Sequence, residues 1–172
     1  MDFLTRSIAA FGTQKEDLSW TNLLEEFKKL FSDLGHEITH FGITSDYYDP
    51  SQIRSFQRSK KKLLEAFQQS NQIDSLEFYA LPENFTQAVF DYFLYAITCE
   101  NFISLTARKE FLTDDMNGII LALFSHYFDI ERYEIFEMMT SDAPLFYIAG
   151  ANTPDFYKSL HVFEQGPYRG KD

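Results

Sequence analysis

The chain has 172 residues and a formal net charge of −11, with 26 acids against 15 bases. That length suits one domain whose folding buries about 70% of the unfolded chain's surface, so neither a metal nor a disulfide staple is required. The charge argues against nucleic acid and against anionic membranes, since phosphate binding needs clustered Lys and Arg.

Apolar residues make up 45% of the chain and charged residues 24%, both ordinary for a globular domain. Aromatics are in excess at 17%, with 19 Phe and 10 Tyr. The single cysteine, Cys99, excludes an internal disulfide. It lies in the aromatic run "FLYAITCENF" and reads as a small, buried or half-buried apolar residue rather than a nucleophile. The N-terminal "MDFLTRSIAAFG" lacks the apolar core of a secretion signal. The longest purely apolar run, "IILALF", is far too short to span a bilayer. A cytoplasmic location is expected.

In chain order, residues 2–11 carry Phe3, Ile8 and Phe11 in loose alternation and predict a first strand, closed by Gly12 and the polar "TQKED". The period then changes. Leu23, Leu24, Phe27, Leu30, Phe31 and Leu34 form one helical stripe, capped by Ser19 or Asn22 and ended at Gly35. Residues 36–44, "HEITHFGIT", read as a strand and "SDYYD" as a loop. Asp49-Pro50 predicts the start of a second helix, with Ile53, Phe56, Leu63, Leu64 and Phe67 as its stripe.

"DSLEFYALP" predicts a strand stopped by Pro82. "TQAVFDYFLYAITC" is apolar on both faces, which suits a central strand covered on both sides. A turn at Glu100-Asn101 would pair it with "NFISLTARKEFL". Thr113, Asp114 and Asp115 predict a third helix with the stripe Met116, Ile119, Ile120, Leu123, Phe124 and Tyr127. "ERYEIFEMM" and "APLFYIAG" read as strands, and Thr153-Pro154-Asp155 as the start of a last helix carrying Phe156, Leu160 and Phe163. The expected fold is a single α+β domain over 1–166, a mixed or mainly antiparallel sheet packed by three to four helices, with a mobile tail at 167–172.

His36, Glu37 and His40 in "HEITH" match the H-E-x-x-H pattern and resemble the zinc metallopeptidases over these five residues. The resemblance implies a zinc-dependent hydrolase with the two imidazoles on the metal and Glu37 as its base. That chemistry needs a helix, which puts residues i and i+4 on one face. In the strand expected here the two histidines would stand roughly 13 Å apart, too far to share an ion whose ligand nitrogens lie about 2 Å away. No cofactor is therefore expected. Ile43 stands where the extended pattern of one zinc family needs glycine, and no phosphate-cradling or serine-nucleophile motif occurs.

Two charge clusters remain. Arg54, Arg58, Lys60, Lys61 and Lys62 place a third of the bases on one predicted helix, readable as a solvated face or as a contact for an acidic or phosphate group. Asp129, Glu131, Tyr133, Glu134, Glu137 and Asp142 mix acids with aromatics, readable as a half-buried strand or as a docking surface for a basic protein. The leading expectation is a non-enzymatic, acidic binding domain that masks a basic protein partner, as monomer or homodimer. Immunity proteins that neutralise bacterial toxins share this physical profile at the level of composition. The alternatives are the zinc hydrolase and a self-associating structural protein.

Overall fold

A computed structural model of the chain describes residues 4–47, 53–83, 92–139 and 161–169, with the backbone alone at 138–139 and 161–163. The elements in order are β1 (Leu4–Gln14), α1 (Trp20–Asp33), β2 (His40–Ser45), β3 (Arg54–Ser55), α2 (Phe56–Gln69), β4 (Ile73–Ala80), β5 (Leu94–Cys99), β6 (Phe102–Arg108), α3 (Met116–Phe124), β7 (Phe128–Met139) and β8 (His161–Pro167). A 3-10 turn at Lys109–Phe111 joins β6 to α3. The strands form one sheet in the order β3-β2-β4-β5-β6-β1-β7-β8, and every pair is antiparallel.

This corrects the expected sheet packed by three to four helices. The described chain is dominated by eight antiparallel strands, with three α-helices. The strands gained residues at the expense of loops and helix. β1 runs past Gly12 to Gln14, and β7 begins at Phe128 instead of residue 131. Phe163, expected on a last helix, lies in β8, whose backbone pairs with Phe136 and Glu137. Ladder pairing along β7 outweighs a three-residue helical stripe there. The expected strand "APLFYIAG" and the rest of that last helix lie outside the described residues.

The first helix and the hairpin follow the sequence closely. Ser19 caps α1 by accepting the N–H of Asn22, and Leu23, Leu24, Phe27, Leu30 and Phe31 are its buried face. Gly35 ends it at φ 86, a left-handed conformation that costs a glycine little. β5 and β6 pair through the turn at residues 100–101. Asp49-Pro50, the predicted start of the second helix, lies outside the described residues; α2 itself begins at Phe56. Residues 54–55 are extended, and Ser55 caps α2 by accepting the N–H of Arg58. In α3 the buried face is Asn117, Ile120, Leu121 and Phe124, while Ile119 is 62% exposed. The stripe is one residue out of phase with the predicted one.

All three helices bury their apolar faces on one side of the sheet. Ile8 and Ala10 of β1, Phe41 and Ile43 of β2, Phe78 of β4, Ala96 of β5, Leu105 of β6 and Ile135 of β7 meet Phe27, Phe31, Leu63 and Phe124 there. Phe27 is the hub, its ring 5.6 Å from that of Phe78 and 6.4 Å from that of Phe124. The second face is buried too. Tyr79, Leu81, Tyr92, Tyr95 and Ile97 form an aromatic cluster, and Thr5, Ser7, Ser104 and Thr106 are almost fully enclosed. Two covered faces explain why "LYAITC" is apolar at alternate and intervening positions alike.

Candidate functional site

The acids of β7 do not form one surface. Arg132 pairs with Phe11 of β1 and Ile130 pairs with Gly12, so Glu131 is an extra residue with no partner across the ladder. This bulge resets the alternation. Ile130 and Tyr133 both pack on the helix-bearing core, although they are three positions apart, an odd offset that regular alternation would place on opposite faces. Asp129 and Glu134 therefore share the second face, while Tyr133 and Glu137 stand on the helix side. Asp129 and Glu131 are exposed. Asp142 lies outside the described residues.

Each remaining member has an internal partner. Tyr133 donates its hydroxyl to Glu164 of β8 at 2.6 Å. Glu134 stands 3.7 Å from Arg132, whose guanidinium lies 3.9 Å above the ring of Phe11. Glu137 takes two hydrogen bonds on one oxygen, from Arg6 Nε at 3.1 Å and Nη2 at 2.6 Å. Arg6 also donates to Asp114 at 2.5 Å, and Lys109 approaches Glu137 at 3.1 Å. The Arg6 side chain is only 1% exposed, so this network neutralises a buried cation at the end of β1. Burial pushes the Glu137 carboxyl up, but the bonds from Arg6 and Lys109 outweigh it and hold it below its usual range. Sequence pattern alone ranks Glu137 with the surface acids. The signal that could have separated it is Arg6, a cation inside the apolar run "LTRSIAAF".

A second polar group sits on the other sheet face. Glu77 and Tyr79 are two residues apart on β4, and the Tyr79 hydroxyl donates to the Glu77 carboxylate at 2.5 Å. Gly42, directly across on β2, makes the room: a Cβ there would meet Glu77 Oε2 at 3.0 Å. Burial raises the Glu77 pKa, more than the Tyr79 and Tyr95 hydroxyls lower it. Burial and Glu77 together push the nearby Cys99 thiol up to about 12, the opposite of what a nucleophile needs.

The first four residues of "HEITH" take neither of the two regular conformations considered for them. Residues 36–39 are neither helix nor strand, and the strand predicted over 36–44 begins only at His40. Leu34, Gly35 and His36 donate to the last carbonyls of α1, which ends the helix before the first histidine. The single helical face that the zinc resemblance requires is therefore not formed. The His36 ring is stacked on Phe93 at 4.8 Å and edge-on to Phe111 at 4.5 Å. Thr39 gives its hydroxyl proton to the carbonyl of Tyr79 and accepts the N–H of Leu81. His40 Nδ1 lies 2.9 Å from that hydroxyl oxygen and, with the hydroxyl proton given to Tyr79, is the donor of the pair. Burial lowers the pKa of both histidines, with Arg108 adding to the effect at His36. Among the described residues no group of three or more His, Cys, Asp and Glu is placed to hold a metal ion.

Both histidines instead line a cleft of about 780 Å³ between the end of α1, residues 36–40 and the first turn of α2. Lys28 and Ser32, one turn apart on α1, form one wall. Ser55, Phe56, Gln57 and Lys60 form the other. Of these flanking residues only Lys60 belongs to a cluster singled out in the sequence; the others carried no functional signal, because the cleft is made by three separate segments.

Comparison with known proteins supplies no relative: no family model matches the chain, and no curated protein or solved structure is significantly similar to it. The described residues form a mixed helix-and-strand domain built on one antiparallel sheet, with aromatic clusters on both faces. No helix among the described residues is long and apolar enough to cross a membrane.

Proposed function

We propose that the protein is a non-enzymatic binding domain that engages a basic protein partner through the β7–β8 end of its sheet. The observation that supports this reading is the segregation of charge across the sheet. β3 and α2 carry Arg54, Arg58, Lys60, Lys61 and Lys62 against the single acid Glu65. α2 packs on β2 and β3, at one margin. At the opposite margin, β7 and β8 carry Asp129, Glu131, Glu134, Glu137 and Glu164 against Arg132. Seven strand spacings of about 4.8 Å separate the two margins by roughly 34 Å. A charge dipole of that length orients an approaching basic surface toward the acidic end and speeds its encounter.

The surface at that margin keeps Asp129 and Glu131 of the acids that sequence reasoning nominates and adds Glu164 of β8. Asp129, Glu131 and Glu164 are exposed, while Glu137 serves the buried Arg6. Toxin-immunity proteins fit this reading as a class, because masking a basic enzyme requires an acidic surface and no chemistry. The test is to isolate the partner by affinity capture at low salt and measure its association kinetics. The association rate constant should fall steeply with ionic strength and drop about tenfold in an Asp129→Lys, Glu131→Lys variant. A rate indifferent to salt, or a captured partner with an acidic surface, would remove the proposal.

A further inference from the structure

We infer that the cleft between α1 and α2 is a binding site for a phosphate monoester with a ring-bearing body. It is independent of the acidic margin and lies at the opposite, basic one. Three observations converge. Its volume of about 780 Å³ falls in the range of small-ligand sites, and its walls are the end of α1 and the start of α2, joined by the irregular residues 36–39. Its polar lining is rich in donors: the ammonium groups of Lys28 and Lys60, the hydroxyls of Ser32 and Ser55, and the side-chain amide of Gln57. Among the described lining residues Glu37 is the one carboxylate, in a protein that carries −11 overall. Lys28 also lies 3.7 Å from Glu25 on α1, so the attraction for an anion comes chiefly from Lys60.

The donor types narrow the ligand. A planar carboxylate is best matched by the fork of an arginine, and no arginine lines the cleft. Ammonium groups and hydroxyls approaching from two walls suit a tetrahedral phosphate, whose oxygens point in several directions. The apolar part of the lining, Phe56 with Ile38, offers a ring face and an aliphatic edge to the body of an ester. Lys60 already lies 5.8 Å from the centroid of the Phe56 ring, so charge and ring face are presented together.

The test is a titration of the 15N-labelled full chain with phenyl phosphate and with inorganic phosphate at constant ionic strength, followed by NMR. Saturable shifts are expected at residues 28–40 and 55–60, with phenyl phosphate the tighter ligand. Lys28→Gln and Lys60→Gln should each weaken it about tenfold, the loss of one charge-assisted hydrogen bond. Lys62→Gln, on the exposed side of α2 and outside the cleft lining, should leave affinity unchanged. The inference fails if no saturable shift occurs, if inorganic phosphate binds as tightly as the ester, or if Lys62→Gln weakens binding as much as Lys60→Gln. The last result would mean attraction to the basic helix without a site.

Discussion

At Gly12 an added Cβ would stand 2.0 Å from the carbonyl oxygen of Asp129, closer than any packing adjustment allows without moving backbone. The glycine is required by close approach at the bulge, not by its own dihedral angles. Gly12→Ala should destabilise the fold by more than about 2 kcal/mol, read as a lower denaturation midpoint. An unchanged midpoint would show that the bulge relaxes freely. Gly12 is visible in the sequence as a strand's end; its role is not, because the clashing oxygen belongs to a residue more than a hundred positions away. The same holds for Glu77. Its folded-state pKa lies above the usual 4.5, because burial disfavours the charge. The folded protein then holds more protons than the unfolded chain just above pH 4.5, so this group adds stability as pH falls through its folded pKa. Glu77→Gln keeps an acceptor for Tyr79 and removes the charge. It should raise the melting temperature at pH 7.5 and raise it less at pH 4.5. Glu137 has the opposite sign: its lowered pKa contributes stability at neutral pH that is lost as pH falls through the folded value, below 4.5.

At the scale of elements, α1 was legible because its signals agree. A serine cap, a stripe at helical spacing and a glycine stop all name the same boundaries. Phe27, at the centre of that stripe, touches both the sheet and α3. Phe27→Ala should cost about 3–5 kcal/mol, measurable by urea unfolding, and a loss below about 1 kcal/mol would mean the core closes over the cavity. α2 was legible in its interior and not at its start. Asp49-Pro50 is a good local signal, yet pairing with β2 keeps residues 54–55 extended. β7 was half legible. The bulge at Glu131 breaks the period of two, so the apolar positions Phe128 and Ile130 fall out of phase with Tyr133 and Ile135 and do not read as one strand. That phase break also scatters the acids that looked like a single surface. "HEITH" shows the converse: a five-residue match carries zinc chemistry only when the chain around it is helical, and the stop at Gly35 prevents that.

For the whole molecule, the sheet order predicts how stability is distributed. β1, β5 and β6 lie inside the sheet with partners on both sides and buried residues on both faces. Their amides should be the slowest to exchange with deuterium. Those of the two-residue β3 and of β8, at the margins, should be among the fastest of the strand amides. Equal protection across all eight strands would contradict the sheet order. The sequence by itself determined the composition of the core, the extent of α1, the β5–β6 hairpin and the strongly acidic character, because these depend on local periodicity and on counting. Only the tertiary structure decided that β1 runs between β6 and β7, that bases and acids gather at opposite margins, that Arg6 claims Glu137, and that three distant segments enclose a donor-lined cleft. Each of these rests on contacts between residues far apart in the chain, and one chain's local pattern does not say which distant strands will pair.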